Sequence, residues 1–522
     1  MPALLECLDA PMPRRPKGEF LSAQHEGTPV SSLALRQSEL FGDLAFAETV
    51  DRDADAFIAA VPAEQRRAQG VTFTPPWLVQ RMLDRAAARG CFDTIVDGGA
   101  GTGRFALAAA ERFPSAQVLA VENNPVLASA LRQAVLARGL GARVTVIEAD
   151  FRAVALPLSG RALFIGNPPY VRHHDIAADW KRWYAEGMAA RGQHASQLAG
   201  LHAHFMLRTV QLMRPGDTLC LVTAAEWLDN GYGSALRDLL TQAPTIGLKA
   251  LWLAAADEPV FPDALVSAVV LEAVAAAEPA AVQLGRLLRR DFSPTRLVDA
   301  AALRAAARWS LLCQPGSELS TEGIELGEMF RVTRGQVTGM NTAWLMPANA
   351  PDSLRELGVP AVTRAREIID GSVLAPDARR RLRSVIDLPV ELDRLNAQQR
   401  QAAEAWLERA RNLGAHASYV ARQRKAWHAV GMREPPAAFV SYMGRRPPVF
   451  MPNPQRLSYL NIAHGLYPRQ PVEAGVLQRV LDHLNTHTGI YSGRVYGGGL
   501  AKFEPGDVAR LRLPASVWRT TE

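Results

Sequence analysis

The stretch Asn167-Pro168-Pro169-Tyr170 carries the clearest chemical signal in the sequence. The side-chain oxygen of Asn167 and the carbonyl of Pro168 are two acceptors that can each take one N–H of a planar amine. Those bonds pull the nitrogen toward tetrahedral geometry and free its lone pair to attack an electrophilic methyl group. The two prolines hold both acceptors in place, and Tyr170 can stack on the ring that carries the amine. A simple Pro-Pro turn after a strand is the structural alternative.

Acidic residues end three successive predicted strands before this stretch: Asp97, Glu122 and Asp150. Because ligands bind at the carboxyl ends of parallel strands, these acids predict one shared site. Glu122 can accept both hydroxyls of a ribose, and Asp150 can accept the exocyclic amine of an adenine ring. Phe151 can stack on that ring. For each acid taken alone, a solvated residue at a strand end is the alternative.

A glycine-rich turn runs from Asp97 to Gly103 and joins the first strand to an Ala-rich helix. Gly99, Gly101 and Gly103 let the backbone approach a ligand closely, and the helix N-terminus offers free N–H groups. The run matches neither G-x-G-x-x-G nor the Walker pattern, so it does not specifically indicate a pyrophosphate. A tight connection is the alternative, although Glu122 favours a nucleotide site.

The elements that must position these residues alternate between strand and helix, which predicts an α/β fold with a doubly wound, mostly parallel sheet. Thr74 is predicted to be the N-cap of a helix that begins in the Pro75-Pro76 pair. The seven predicted strands lie at 94–96, 117–121, 144–147, 163–165, 218–223, 248–253 and 266–273.

The alternation stops near residue 280, and the rest of the chain predicts a mixed α+β domain with one clear helix at 396–410. We therefore expect a lead-in at 1–50, a catalytic domain at 51–285 and a second domain at 286–522. From Arg290 onward there are 31 Lys and Arg against 22 Asp and Glu, whereas the first 289 residues hold 27 against 30. Arginine can pair with phosphate or with a guanine edge, so the second domain favours nucleic acid as its partner. A solvated surface explains the charge equally well.

Composition excludes several classes of protein. The four cysteines form no CxxC pair, which argues against a zinc knuckle or a disulfide scaffold and fits a reducing cytoplasm. No signal peptide and no membrane span are expected, because the first residues lack an apolar core and no run of 18 apolar residues occurs. We expect no metal requirement and no nuclease core.

The order of the motifs resembles that of the γ class of amino DNA methyltransferases, the group that modifies adenine at N6. In that class a T-P-P motif precedes the cofactor loop, as Thr74-Pro75-Pro76 does here. The class has a D-P-A-C-G-S-G-x-F-like loop, and the run from Asp97 to Phe105 departs from it at Pro and Cys. Two later segments also resemble class motifs: 223–228 resembles a P-A-T-W-L strand end without its Pro, and 260–262 resembles the motif whose Phe packs against an extruded adenine.

The resemblance covers most of residues 70–275 and implies a seven-stranded, Rossmann-like methyltransferase sheet. It implies S-adenosylmethionine as cofactor, a flipped adenine in duplex DNA as substrate, and a role in restriction–modification or defence. Tyr170 and Phe261 would sandwich the base. The implied catalytic residues are Asn167, Pro168, Pro169, Tyr170 and Phe261. The implied cofactor-binding residues are Thr74, Asp97, Gly99, Gly101, Gly103, Glu122, Asp150, Phe151 and Asn167.

The resemblance further implies that the second domain is a target recognition domain that holds duplex DNA against the catalytic cleft. Gly-rich loops with Arg and Lys can bring backbone N–H groups to phosphates, although a surface loop is the alternative for any one of them. The implied DNA-binding residues are Arg331, Arg334, Arg422, Arg424, Lys425, Arg445, Arg446, Arg494 and Lys502.

Other substrates stay open at this point. The same amine chemistry serves methyltransferases that act on structured RNA or on protein glutamine, and modification of cytosine at N4 is chemically allowed. A binding-only protein derived from a methyltransferase is a third class, but it would require losing the acids or Asn167. Cytosine-C5 chemistry is excluded, because it needs a nucleophilic Cys after Pro and no cysteine here follows one. A separate cognate endonuclease is compatible with the sequence.

Overall fold

The computed structural model describes residues 72–242, 246–255, 258, 260–261, 267–276, 281–288, 290–314, 323–496 and 499–518. The chain divides into two compact units, Met1–Ser317 and Glu318–Glu522. This division lies later than the expected boundary at 285/286. The expected lead-in and residues 51–71 of the expected catalytic domain lie outside the described residues.

Within the described part of the first unit, nine strands form one sheet in the order β3-β2-β1-β4-β5-β7-β6-β8-β9. The first five strands in that order run parallel, and β7 is antiparallel to both of its neighbours. The strands are β1 (Thr94–Gly98), β2 (Gln117–Glu122), β3 (Val144–Glu148), β4 (Ala162–Gly166), β5 (Thr218–Ala224), β6 (Ile246–Ala254), β7 (Ala268–Ala275), β8 (Val282–Leu288) and β9 (Asp291–Val298).

Helices cover both faces of this sheet, because its central strands are apolar on both sides. Neighbouring residues of β1 show the alternation: Ile95 packs in one buried cluster with the helices between residues 76 and 137, and Val96 packs in the other with the helices between residues 178 and 312. The helices are α1 (Pro76–Ala87), α2 (Arg104–Arg112), α3 (Pro125–Ala137), α4 (Ala178–Ala189), α5 (Leu201–Leu212), α6 (Ser234–Gln242), α7 (Ala300–Ala305) and α8 (Trp309–Leu312).

The predicted doubly wound, mostly parallel α/β fold is confirmed, and all seven predicted strands form. The predicted strand count was wrong, because β8 and β9 extend the sheet beyond β6. Only Val298 of the eight residues of β9 is buried, so this strand lacks the apolar run that marks the predicted strands. These two strands and the helices that follow them place residues 282–312 in the first unit.

Helix α1 is fixed to the sheet by a buried carboxylate. Glu272 on β7 is only 1% exposed, and it accepts hydrogen bonds from Arg85, from Arg89 Nη2 at 2.6 Å and from Trp252 Nε1 at 2.9 Å. A buried charge held this way is costly to unpair. The predicted N-cap was wrong by one residue: Pro75 is the N-cap of α1, and no side chain caps this helix.

The second unit is a mixed α+β domain, as predicted. Its described strands pair in four small sheets, ordered β10-β21, β11-β18-β14-β16, β13-β12-β17 and β15-β20-β19. They are β10 (Ile324–Glu325), β11 (Phe330–Arg334), β12 (Gly358–Val362), β13 (Ser384–Ile386), β14 (Ala438–Ser441), β15 (Met443–Gly444), β16 (Phe450–Pro452), β17 (Ser458–Tyr459), β18 (Ala463–Pro468), β19 (Arg494–Tyr496), β20 (Leu500–Lys502) and β21 (Arg512–Leu513).

The predicted helix at 396–410 is present at Ala397–Asn412, and it begins in a capping box made by Asn396 and Gln399. The helices of this unit are α9 (Leu326–Met329), α10 (Asn341–Trp344), α11 (Asp352–Arg355), α12 (Arg366–Ile369), α13 (Ala378–Arg381), α14 (Ala397–Asn412), α15 (Tyr419–Arg422), α16 (Ala474–His487) and α17 (Pro505–Ala509). In neither unit is a described helix long and apolar enough to cross a membrane.

Candidate active site

The glycine-rich turn between β1 and α2 is held in a conformation that side chains would oppose. Gly99, Gly101 and Gly103 have φ angles of 86°, 56° and 92°, a region that favours glycine. A Cβ at Gly103 would also lie 2.2 Å from Leu131 Cδ1 on α3. The turn therefore brings bare backbone and the N-terminus of α2 to the carboxyl edge of the sheet.

Glu122 at the end of β2 ties this turn to the next strand. Its Oε2 accepts from Gly101 N and its Oε1 from Asn124 N, both at 2.8 Å. Burial raises the pKa of Glu122, and the bonds from the Asn124 and Gly101 amides oppose that rise. The acid lies on the wall where the sequence predicts ribose binding.

Asp97 lies beneath the turn. One carboxylate oxygen, Oδ2, accepts from Ala106 N at 3.1 Å, while Oδ1 is buried with no hydrogen-bond partner among the described residues. Burial raises the pKa of Asp97 to about 8, so this carboxyl group is mostly protonated at neutral pH. The geometry gives it a role under the loop, since it does not line the cavity described below.

Asp150 and Phe151 follow β3. Phe151 is 3% exposed and packs under the turn, with its ring centroid 5.2 Å from that of Phe205 on α5. Asp150 is engaged by Arg152, two residues along the chain, whose Nη2 donates to Oδ2 at 2.6 Å. The Arg152 guanidinium in turn lies 3.8 Å from the ring centroid of Trp180 on α4.

Asn167 follows β4, and its orientation is set by one bond. Its Nδ2 donates to the carbonyl of Thr72 at 3.0 Å, which leaves Oδ1 as the acceptor on the other side. Asn167 Oδ1 is buried and has no partner among the described residues. An unpaired buried acceptor is costly, so its presence at this position indicates a ligand donor.

Tyr170 and Phe261 contact each other directly. Their ring centroids are 5.9 Å apart, and the planes meet at 74°. A base could enter between the rings only if one of them moved, so the predicted sandwich is not preformed. The Tyr170 hydroxyl is buried and has no hydrogen-bond partner among the described residues, and burial raises the pKa of Tyr170.

A cavity of about 640 Å³ lies along this edge of the sheet, within the roughly 300–1,000 Å³ of ordinary small-molecule sites. The predicted site residues on its wall are Thr74, Gly99, Gly101, Glu122, Asp150, Phe151, Asn167 and Pro169. The predicted residues that lie outside its lining are Asp97, Gly103, Pro168, Tyr170 and Phe261.

Sequence reasoning missed other residues of the wall, among them Phe73, Arg104, Arg152, Asp175, Trp180 and Phe205. Arg152 could have been suspected from its place beside Asp150-Phe151. Trp180 and Phe205 belong to helices with no local motif, so only the fold brings them to the cavity. No cluster of three or more His, Cys, Asp or Glu suited to a metal ion occurs in the described parts of the chain.

The residues present fit S-adenosylmethionine. The glycine turn offers close backbone approach, Glu122 and Asp150 place two carboxylates on the cavity wall, and Asn167 Oδ1 lacks a partner among the described residues. Thr102 Oγ1 on the same wall is a second buried polar atom without a partner among the described residues.

In the second unit, three predicted DNA-binding cations are already paired with acids. Arg334 and Lys502 both contact Glu504, the latter at 2.6 Å, and Arg494 Nε lies 3.3 Å from Asp507 Oδ2. Arg334 and Lys502 also lie over the Tyr442 ring, 5.3 and 5.5 Å from its centroid. Their charges are therefore partly neutralised within the protein.

The segments 331–342 and 422–428 meet in the second unit. Arg424 Nη2 donates to the Val337 carbonyl at 2.7 Å, and the guanidinium of Arg424 is thereby committed to the fold. The remaining predicted cations of the unit are exposed: Arg331, Arg422, Lys425, Arg445 and Arg446. Arg331 lies over the Tyr467 ring. For Arg422, Lys425 and Arg446, no acidic partner occurs among the described residues.

Comparison with known proteins gives consistent matches. Residues 318–522 match the family model "Type II methyltransferase M.Eco57I, C-terminal domain", 162–247 match "Eco57I restriction-modification methylase", and 95–187 match "Methyltransferase domain". The first match begins where the second compact unit begins.

Two relatives and one solved structure illustrate the likeness. The chain is 43% identical over 451 residues to type II methyltransferase M.XamI of Xanthomonas campestris pv. amaranthicola, which covers 85% of both chains. It is 32% identical over 156 residues to release factor glutamine methyltransferase of Moorella thermoacetica, covering 28% of this chain and 49% of that one. The solved structure of the type IIL restriction-modification enzyme MmeI in complex with DNA has the same fold, with a TM-score of 0.53 at 11% identity over 94% of this chain and 67% of that chain.

Proposed function

The chain belongs to the type II restriction-modification methyltransferases, and from that premise we propose that it methylates adenine at N6 within a specific sequence of duplex DNA. The carrying observation is Asn167 Oδ1, a buried acceptor without a partner beside the cavity. We propose S-adenosylmethionine as the cofactor, which supplies an electrophilic methyl group when bound.

Two acceptors on this chain activate the amine. Asn167 Oδ1 takes one N–H of the target nitrogen, and the Pro168 carbonyl takes the other. No hydrogen bond among the described residues occupies that carbonyl. Loss of conjugation with the ring makes the nitrogen lone pair available. The methylated nitrogen carries a positive charge and then loses one proton readily to solvent, so no strong base is needed near the reacting atoms. The Asn167–Thr72 bond and the two prolines keep both acceptors aligned before the substrate arrives.

The cavity wall holds the cofactor. We propose that Glu122 accepts the ribose hydroxyls, Asp150 accepts the adenine amine and Phe151 packs against the adenine. The turn from Gly99 to Gly103 lies along the backbone side of the same wall. Thr74 at the start of α1 closes the edge of the cavity, and its carbonyl accepts from Arg104 Nη1 at 2.7 Å.

The target base must leave the duplex, because its amine is inaccessible inside the stack. Tyr170 and Phe261 now contact each other edge to face. We propose that the flipped adenine separates the two rings and stacks on Tyr170. Phe261 then contacts the base instead of Tyr170. Stacking of a base on an aromatic ring offsets part of the cost of unstacking, at about 1–3 kcal/mol per base.

The second unit supplies DNA binding. We propose that Arg331, Arg422, Lys425 and Arg446 contact phosphates, because these cations are exposed and are not held by acids among the described residues. Tyr419, which begins α15 and is 73% exposed, stands in the same segment as Arg422 and Lys425. Exposed aromatic and basic groups together suit a nucleic-acid surface. As in other restriction–modification pairs, we propose a separate cognate endonuclease as partner.

Protein glutamine is a second candidate substrate, favoured by the 32% identity to a glutamine methyltransferase. That likeness covers 28% of the chain, whereas the likeness to M.XamI covers 85%. The second unit matches the C-terminal domain of a type II methyltransferase. A DNA substrate gives this unit a role in recognition, whereas a glutamine substrate does not.

The decisive experiment identifies the methylated product. The full-length protein is incubated with methyl-labelled S-adenosylmethionine and, separately, with amplified duplex DNA, total RNA and cell protein, and the products are digested and separated by mass spectrometry. We expect N6-methyladenine in DNA. DNA from cells that express the protein is the matched control and should accept little label. N4-methylcytosine would overturn the assignment to adenine, and label confined to RNA or glutamine would overturn the assignment to DNA.

A further inference from the structure

We propose that Arg152 is a positioning residue for cofactor recognition: it orients the Asp150 carboxylate so that a single acceptor site remains for the amine of the cofactor's adenine. This inference rests on the proposed function, which places that adenine at Asp150. It goes further, because it assigns the preference for a ligand that carries the adenine amine to Arg152, which belongs to none of the motifs found in the sequence.

Arg152 makes three hydrogen bonds to Asp150. The Arg152 backbone N and Nε donate to Oδ1 at 2.9 and 3.0 Å, and Nη2 donates to Oδ2 at 2.6 Å. The guanidinium therefore grips both carboxylate oxygens in the planar, forked geometry that lysine cannot reproduce. Both side chains line the cavity.

The three bonds from Arg152 leave one acceptor position of the Asp150 carboxylate open. A carboxylate offers about four lone-pair positions, two on each oxygen. Two donors occupy Oδ1 and one occupies Oδ2, so one position on Oδ2 stays open among the described residues. A ligand with one suitably placed N–H completes the set, whereas a ligand without that N–H leaves the position unfilled. Fixing the carboxylate plane thus converts a general negative charge into a directional acceptor.

Arg152 is itself held from the other side. Its guanidinium carbon lies 3.8 Å from the Trp180 ring centroid, close enough for stacking and a cation–π contact. The side chain of Arg152 is only 10% exposed, against 25% for Asp150. Arg152 is therefore enclosed between a carboxylate and an aromatic face, while the carboxylate keeps access to the cavity.

The test compares two ligands rather than activity. One is S-adenosylhomocysteine, and the other is its analogue with hydrogen in place of the adenine amino group, which removes the donor and adds no acceptor. Calorimetry with the full-length protein gives both dissociation constants. For the wild type we expect a preference of about tenfold or more for the amine, the size of one hydrogen bond to a charged group.

Arg152→Met should weaken binding of S-adenosylhomocysteine and leave binding of the analogue nearly unchanged, so that the preference falls to about threefold or less. Arg152→Lys, which keeps the charge but lacks the fork, should give an intermediate preference. The matched control is Arg132→Met, which breaks the Arg132–Glu148 ion pair at the end of β3, outside the cavity lining. It should keep the wild-type preference.

The variants distinguish the role of Arg152 from the proposed contact between Asp150 and the adenine amine. A wild-type preference retained in both Arg152 variants would overturn the role of Arg152 while leaving the Asp150 contact intact. A preference retained in Asp150→Ala would overturn the proposed adenine contact and the inference with it. Equal weakening of both ligands in Arg152→Met would show general damage to the site instead of positioning, and would also overturn the inference.

Discussion

The carboxyl edge of the catalytic sheet and the basic surface of the second unit both contain residues that the sequence predicts to bind a ligand. The two regions differ in whether these residues already have partners within the protein. At the sheet edge, residues from the ends of four strands meet around one cavity, and Asn167 Oδ1 is left without a partner. In the second unit, Arg334, Lys502 and Arg494 are paired with acids. One region holds buried polar atoms without partners among the described residues, and the other pairs part of its own charge with acids.

The difference comes from topology. Parallel strands in one sheet end at the same edge, so residues at strand ends converge however far apart they lie in sequence. No such constraint orders charged side chains on small antiparallel sheets. Glu504 lies 170 residues after Arg334, yet the two form an ion pair. Motif order therefore predicts a site in the first region, whereas a count of cations in the second includes some that are paired with acids of the same unit.

The largest expected effect tests the unsatisfied acceptor at the sheet edge. Asn167→Ala removes Oδ1, so methyl transfer should fall by about 1,000-fold, the upper range for loss of one preorganised hydrogen-bonding group. The dissociation constant for S-adenosylmethionine should change far less, because the turn and Glu122 remain. Single-turnover assays with labelled cofactor measure the first quantity, and calorimetry measures the second.

The matched control for this variant is Asn123→Ala. Asn123 also lines the cavity but is exposed at the end of β2. It should retain transfer close to the wild-type rate. Retained turnover in Asn167→Ala would show that the nitrogen is activated by other groups, and the contrast between the two regions would lose its main support.

A second effect tests whether Asp97 is protonated in the folded protein. Burial raises the pKa of Asp97 from 3.8 to about 8. At pH values between these two pKa values, Asp97 is protonated in the folded protein and ionised in the unfolded chain. The free energy of unfolding therefore falls as pH rises through this range. From pH 5 to pH 7 the loss should be roughly 2–3 kcal/mol, because each pH unit in this window contributes the free energy of about one pKa unit. Asp97→Asn cannot ionise and should lack this loss.

Urea unfolding of the full-length wild type and of Asp97→Asn at both pH values gives the comparison, because other titrating groups are common to the two proteins. The stability difference should grow in favour of the variant as pH rises. A difference that does not depend on pH would mean that Asp97 is ionised in the fold, stabilised by groups beyond the Ala106 amide.

Much of the catalytic unit was predictable because its signals are local. Apolar runs marked strands β1 to β7, and Asp97, Glu122 and Asp150 stood at or just after the ends of the first three. Strands β8 and β9 were not predicted, because partly exposed residues interrupt β8 and only Val298 of β9 is buried, so neither sequence is an apolar run. The contact between Arg152 and Trp180 was not predicted, because it joins the loop after β3 to α4 and exists only in the tertiary fold. The closed contact between Tyr170 and Phe261 was equally invisible, because ring orientation depends on packing.

The smallest expected effect tests the second region directly. Arg422→Gln/Lys425→Gln removes two exposed cations that have no acidic partner among the described residues. Loss of two phosphate contacts should weaken DNA binding by about tenfold and reduce the slope of log affinity against log salt by about two. Fluorescence anisotropy with labelled duplex DNA at several salt concentrations measures both quantities.

The matched variant Arg334→Gln/Lys502→Gln removes the same net charge from the pair held by Glu504. If pairing silences these cations, DNA affinity and the salt slope should change little, by less than about half of the other variant's effect. A larger loss than in Arg422→Gln/Lys425→Gln would reverse the comparison, because it would mean that phosphate competes with Glu504 for Arg334 and Lys502. The ion pairs with Glu504 would then open when DNA binds, and Arg334 and Lys502 would contact phosphates. The second unit would resemble the sheet edge, where Asn167 Oδ1 is positioned for a ligand donor before the ligand binds.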